Sequence, residues 1–389
     1  MRPRPLGLLA GALLLVPLAA CTDNDPSASS EEGGAGTISV VSTADACDLS
    51  ATEAPSGNLV FSVENQGDEV TEFYLLGDDG VRIVGEVENV GPGLTRELVV
   101  KAAPGDYKTA CKPGMTGDGI QADFTVTEGD EVVLGEDEQA LVDTATSQYA
   151  LYVENEVEAL VEETKAFAAS YVAGDDDDAR DAYAPTRVHW ERIEPVAESF
   201  GDLDPRLDLR EADLEDGQTW TGWHRIEKDL WPPADQDYTP LTDGERQELA
   251  DQLVADTEEL AERVEDLEFT PDQLGNGAKE LLDEVATGKV TGEEEIWSHT
   301  DLWDFQANVD GARVAYEDLR PILQVREEAE LDEQLETRFA ALQELLDGYR
   351  DGEGFVSYDE LTDDQVKELA DAVNALSEPL SKLTAAVVL

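Results

Sequence analysis

The sequence predicts two folded parts of different class: a small β-sandwich near the N-terminus, then an all-α domain of two packed four-helix bundles. Residues 37–134 break into short runs of strand formers separated by Gly, Pro and Asn/Asp turns. From residue 137 onward, apolar residues recur at spacings of three and four among acids. Helix-breaking signals at Pro205, Pro232-Pro233, Thr270-Pro271, Gly288, Pro321 and Gly352-Glu353-Gly354 then cut this second part into roughly seven or eight helices with short connections.

Ahead of both parts, Arg2 and Arg4 precede an apolar run from Leu6 to Ala20 that ends Leu18-Ala19-Ala20-Cys21. This reads as a secretory signal over 1–20 with a lipobox, cleaved before Cys21 and lipidated on its thiol. The run is too short to span a bilayer. Residues 21–36 are Ser, Gly and acid, the composition of a flexible tether. The expected location is therefore the outer face of the cytoplasmic membrane, with a lipid anchor.

In the β part, Ile38–Val41, Asn58–Val63, Glu72–Leu76 and Gln121–Val126 read as strands. Turns fall at Asn65-Gln66-Gly67, Asp78-Asp79-Gly80, Gly91-Pro92-Gly93 and Pro104-Gly105. About seven strands in such a length make a sandwich. Cys47 and Cys111 both lie here. In an oxidising compartment they form a disulfide. As thiolates they offer a metal site with Glu72, to which Met115, four residues after Cys111, could add. No histidine precedes His189, so the two imidazoles of a blue-copper electron-transfer site are missing.

The helical part, 137–389, opens with an amphipathic helix over 137–173, on which Leu141, Tyr149, Val153, Val157, Leu160, Val161 and Phe167 recur at spacings of three and four among acids. The acids Asp175–Asp178 suit the positive end of the next helix dipole. Further helices are predicted over 186–199, 219–230, 242–267, 271–287, 300–319, 322–349 and 363–386.

Charge narrows the function. The 389 residues hold 26 Lys+Arg against 90 Asp+Glu, a net charge of −64, which repels a phosphate backbone and concentrates cations. Of the 3 histidines, His224 lies three residues before Glu227, so a helix puts both on one face. Nitrogen and oxygen offered together make half of a metal site. Two further stretches join acids to tryptophan: His189–Pro195, with Glu191 and Glu194 one turn apart, and Gly292–Phe305, with Glu293, Glu294, His299, Asp301 and Asp304. Acids beside buried aromatic surface need a partner, either a metal or the cations Arg192, Arg225 and Lys228. Helix-face geometry selects Glu191, Glu194 and Asp301 as additional ligands. A zinc peptidase has its base directly after the first histidine of HExxH, a place filled here by Arg225 and Trp190. No GxSxG or phosphate-binding loop is present.

The order of lipobox, small β domain and helical domain resembles the EfeO iron-uptake lipoproteins. The marks are Tyr183-Ala-Pro-Thr-Arg187 followed by His189…Glu191-Arg-Ile-Glu-Pro195, then Gly222-Trp-His224-Arg-Ile-Glu227 as a GxHxxE motif, then Ser298-His-Thr-Asp-Leu-Trp-Asp-Phe-Gln-Ala-Asn-Val-Asp-Gly311. The resemblance implies a cupredoxin-like domain followed by an imelysin-type domain. It implies a non-enzymatic, extracytoplasmic iron carrier (ferric or ferrous) that serves a membrane iron permease beside a haem-dependent peroxidase. GxHxxE carries the family's metal site to His224 and Glu227, and the β-domain site, for copper or a second iron, to Cys47, Glu72 and Cys111. Two rival functions remain: an imelysin-type metallopeptidase, and an acidic anchored protein without specific metal.

Overall fold

The computed structural model describes residues 36–389 apart from 118, 130–133, 215–216, 234–236 and 266. The signal segment, Cys21 and the tether through residue 35 lie outside the described residues.

Nine strands build the sandwich: β1 (Ile38–Ser42), β2 (Cys47–Leu49), β3 (Glu53–Pro55), β4 (Gly57–Asn65), β5 (Thr71–Leu76), β6 (Ile83–Val90), β7 (Thr95–Ala102), β8 (Gly105–Pro113) and β9 (Ile120–Thr127). They pair as two sheets, ordered β2-β1-β4-β7 and β3-β9-β8-β5-β6. Alternation along β4 sends Leu59, Phe61 and Val63 into the space between the sheets. There the Phe61 ring meets Phe73 at 5.1 Å and Phe124 at 5.6 Å. All of β5 is buried, because its outer face, with Tyr74 and Leu76, forms a separate apolar cluster with Ala110 and Ile83. The Ile83 N–H donates to Ser199 O of the helical part at 3.2 Å.

The sandwich corrects the thiolate reading of its cysteines. Cys47 and Cys111 are bonded to each other, so neither sulfur is a thiolate. Glu72 is not beside them. Phe73 pairs with Cys111 and Glu72 with Lys112, and successive residues of a strand face opposite sides of the sheet. Cys111 points into the core, whereas Glu72 accepts a hydrogen bond from Tyr74 Oη at 2.7 Å on the outer face. With no histidine in the sandwich, these residues do not fit a copper ion.

The helices are α1 (Glu136–Ala173), α2 (Asp176–Glu191), α3 (Glu194–Glu198), α4 (Asp204–Leu207), α5 (Trp223–Leu230), α6 (Asp243–Val264), α7 (Pro271–Thr287), α8 (Asp301–Val325), α9 (Ala329–Asp347), α10 (Asp363–Leu380) and α11 (Leu383–Val388). One group packs α1 with α2, α6 and α8, and a second packs α7 with α8, α9 and α10, so α8 belongs to both four-helix groups.

Several helix boundaries depart from the sequence expectation, among them that of the helix expected over 322–349, which begins at Ala329 because α8 runs on to Val325. Helix α2 starts at its acidic first turn and runs through Pro185, and α8 runs through Pro321. A proline removes the bond to the carbonyl four residues earlier. Here those carbonyls belong to Asp181 and Glu317, both exposed, where water can take the place of the lost donor. The helix expected over 219–230 begins only at Trp223, because Gly222 has φ 84°. Residues 292–300, between the helices expected over 271–287 and 300–319, form a turn-rich loop with positive φ at Gly292 (72°) and His299 (56°).

Candidate metal centre

Helix α5 is eight residues long, and every one except Arg225 is buried. Its entry explains the glycine of GxHxxE. A Cβ on Gly222 would lie 2.0 Å from the carbonyl oxygen of Leu207, so the end of α4 packs directly on the start of α5. The residue after Leu207 is Asp208, which this close approach delivers to the imidazole: His224 Nε2 is 3.3 Å from Asp208 Oδ1. One turn on, Glu227 Oε2 lies 3.5 Å from His224 Nδ1.

The 292–300 loop closes the other side. Glu294 Oε1 is 3.4 Å from His224 Nε2, and Glu295 Oε1 is 3.9 Å from Nδ1. The loop also holds Glu227 in place, since the N–H groups of Trp297 and Ser298 donate to its Oε1 at 3.0 and 2.7 Å. Ser298 Oγ donates to Glu295 Oε2 at 2.9 Å. Asp208, His224 and Glu294, and likewise His224, Glu227 and Glu295, each bring one ligand atom within 4.8 Å of the others. Both ring nitrogens of His224 and the Oε2 of Glu227 are buried without a hydrogen-bond partner. Such atoms are costly to bury, and a metal ion satisfies both kinds of donor.

The remaining predicted ligands lie in or beside this cage. Glu191 and Glu194 group with Asp208 within the same 4.8 Å limit, but on the side where Lys289 stands. Lys289 Nζ is 3.1 Å from Glu191 and 2.9 Å from Glu194. Asp301 is outside all three groups, and its Oδ1 accepts the N–H of Glu295 at 3.1 Å, which braces the loop. His189 is elsewhere, 2.6 Å from Glu156. Among the cations weighed as partners for these acids, Arg192 bonds Glu156 and Asp310, and Lys228 bonds Glu211.

Sequence reasoning misses Asp208, Glu295, Arg187 and Lys289 as members of the cage. The Arg187 guanidinium, wholly buried, contacts Asp208 and Glu191 and places Nε 2.7 Å from Glu295. Trp190 Nε1 donates to the second oxygen of Asp208 at 2.7 Å. A run of three glutamates at 293–295 beside Ile296 and Trp297 is the one local signal for Glu295. Nothing local marks Asp208.

The cage is electrostatically divided. Burial pushes the Glu191 and Glu194 carboxyls up to about 8, with Lys289 acting against it. Burial and the neighbouring Glu227 push Glu295 well above its usual range. Glu294 goes the other way: burial raises it, but Lys289 and His224 more than reverse that. Burial works against the charged form of His224, yet Asp208, Glu227 and Glu294 hold the imidazole well above its ordinary value. A buried carboxylate–imidazole cluster of this kind is where functional sites concentrate.

Residues 145–383 match the imelysin family, and residues 11–126 match the cupredoxin-like domain. The iron uptake system component EfeO of Yersinia pseudotuberculosis is 39% identical over 340 residues, covering 87% of each chain. EfeO of Yersinia pestis matches at the same identity and coverage. EfeO of Escherichia coli O157:H7 is 36% identical over 361 residues, covering 89% of this chain and 90% of its own. This chain belongs to the EfeO family. Its role lies in iron uptake, and its architecture is the family's cupredoxin-like region followed by an imelysin domain. The GxHxxE motif of this EfeO-family chain is the stretch that builds α5. No helix among the described residues is long and apolar enough to cross a membrane.

Proposed function

We propose that the protein binds iron in the cage of His224, Asp208, Glu227, Glu294 and Glu295 and hands it to a membrane permease. It does so outside the cytoplasmic membrane, tethered through a lipid on Cys21, in a system that includes a haem-dependent peroxidase. The observation that supports this best is the buried imidazole whose two ring nitrogens make no hydrogen bond and lie 3.3–3.9 Å from carboxylates of α5, the end of α4 and the 292–300 loop. Carboxylate oxygens favour ferric iron, and an imidazole extends the range to ferrous iron. A peptidase would need room for a polypeptide at this position, whereas His224, Glu227, Glu294 and Glu295 are at most 5% exposed. Arg225 also occupies the place of a zincin's base, with its guanidinium 3.4 Å from Tyr238 Oη.

The test is iron titration of the protein by calorimetry under anaerobic conditions. His224→Ala and Glu227→Gln are each expected to weaken iron binding at least about tenfold, the equivalent of one lost ligand at roughly 1.4 kcal/mol. Unchanged affinity in both variants would favour an acidic anchored protein without a specific site. Chelator-sensitive cleavage of a protein substrate would favour the peptidase.

A further inference from the structure

The carboxylates of the cage extend past those that His224 reaches. Asp208 belongs to two of the close groups: with His224 and Glu294 on one side, and with Glu191 and Glu194 on the other. A carboxylate shared between two such groups is the arrangement of a two-metal centre, in which one acid lies between both ions. Helical bundles make these centres from inward glutamates, and here α2 and α3 supply Glu191 and Glu194, both at most 5% exposed.

The second position is nevertheless filled by the chain itself. Lys289 is 0% exposed and sits on a 3-10 turn, Lys289–Thr291, directly after α7. Its ammonium lies 3.1 Å from Glu191 Oε2 and 2.9 Å from Glu194 Oε2. The Asn308 side-chain amide donates to the same two oxygens at 3.3 and 3.2 Å. Arg187 completes the closure: it contacts Glu191 and Asp208, and its Nη2 lies 3.7 Å from Glu294. On the His224 side Arg187 Nε lies 2.7 Å from Glu295 and Arg210 Nη1 3.4 Å from Glu294. Among the described residues, however, the ion-pair partners of the imidazole are all carboxylates, and its ring nitrogens are left without hydrogen bonds.

From this we infer that Lys289 stands where a second metal ion would bind, and that it limits the centre to one iron per chain. The inference rests on the proposed role of the cage in iron binding. A carrier must survive without its cargo, and buried carboxylates are unstable without a cation. The covalently held ammonium answers that need for Glu191 and Glu194, because it cannot leave with the iron. The His224 side remains free to exchange its ion. Glu191 and Glu194 are then the partners of Lys289 and not ligands of the cargo.

The experiment is anaerobic titration with ferrous iron, with bound iron counted by elemental analysis after desalting. The wild-type protein is expected to hold about one ion per chain, and Lys289→Ser, which removes the ammonium and leaves room, about two. In Lys289→Ser combined with His224→Ala, the count is expected to return to about one. A folded Lys289→Ser protein that still holds one ion, or a wild-type protein that already holds two, would overturn the inference. A wild-type protein that holds none would instead overturn the iron-binding reading itself. Should Lys289→Ser fail to fold, Glu191→Gln with Glu194→Gln decides the matter in the presence of Lys289. One ion bound with affinity changed less than about threefold supports the inference, and a tenfold or greater loss makes those two acids cargo ligands.

Discussion

Gly222 shows how a single residue sets the geometry of the centre. Its φ of 84° is in the left-handed region, and the Leu207 carbonyl oxygen occupies the space of a side chain. Gly222→Ala is therefore expected to cost at least about 1–3 kcal/mol in urea unfolding, the range for one strained backbone position. Because Asp208 follows Leu207, the same substitution should move a proposed ligand and weaken iron binding about tenfold or more. Wild-type stability and affinity in this variant would show that the close approach is not needed. At this scale the sequence is readable only where chemistry is local. His224 and Glu227 can be recognised because one helical turn brings them together without help from the fold. Asp208 and Lys289 cannot, since neither has a neighbour in sequence that reveals its partner. Asp208 is placed by a helix end packing against Gly222, and Lys289 looks like an ordinary charge after a helix terminus until Glu191 and Glu194 close over it. The disulfide is an intermediate case. Two cysteines in a chain with an expected secretory signal suggest it, but only the strand register shows that Glu72 faces away from both sulfurs.

Among the elements, strand and helix types are legible and several helix limits are not. Alternation and turn residues identify the long strands, while the three-residue strands β2 and β3 are too short to show any period. Proline misleads twice, at Pro185 and Pro321, because its effect depends on whether the carbonyl it deprives can reach water. Pro321 is exposed near the end of α8 and satisfies no structural need visible in its surroundings. Pro321→Ala should restore the hydrogen bond to Glu317 and raise stability by up to about 3 kcal/mol, with iron stoichiometry unaltered. Equal or lower stability in chemical unfolding would mean that the proline favours the fold through the unfolded chain. The 292–300 stretch falls between the helices expected over 271–287 and 300–319, and its backbone forms a loop. The loop has a chemical advantage. A helix interior uses up its N–H groups, whereas here those of Trp297 and Ser298 are free to bind Glu227.

At the scale of the whole molecule, the acidic balance reaches into the contact between the sandwich and the helices. Polar backbone contacts hold the two parts together: the Lys101 N–H donates to Asp272 at 2.7 Å, and the Asn276 amide to Val99 O at 3.0 Å. Beside them the charges are badly matched. Glu72 on β5 and Glu86 and Glu88 on β6 face Glu280, Asp283 and Glu284 on α7, opposed by Lys112 on β8 and Lys279 on α7 and, at Glu284, by Lys289 and Arg210. Lys279 is already bonded to Asp283. Glu86 and Glu280 line one cavity of about 70 Å³ between the two parts, enough for a few waters. Burial, followed by the charge of Glu280, pushes Glu86 well above its usual range. Burial also takes Glu280 from 4.5 up to about 8. A carboxyl that is raised in the folded state binds protons that the unfolded chain releases. Its stabilisation is complete below the ordinary glutamate value and is lost as pH rises toward 8. The protein should thus melt at a lower temperature at pH 8.5 than at pH 5.5. Glu191 and Glu194 add to the same trend, since both are raised to about 8. Replacing Glu86 and Glu280 together with glutamine should reduce that slope without removing it. It should also stabilise the protein at pH 8.5 by about 1–2 kcal/mol, a rise of several degrees in Tm. A wild-type melting temperature that is flat or rising across this interval, or an unchanged slope in the double variant, would show that the facing carboxylates are already neutralised by solvent and do not oppose the docking of the two parts.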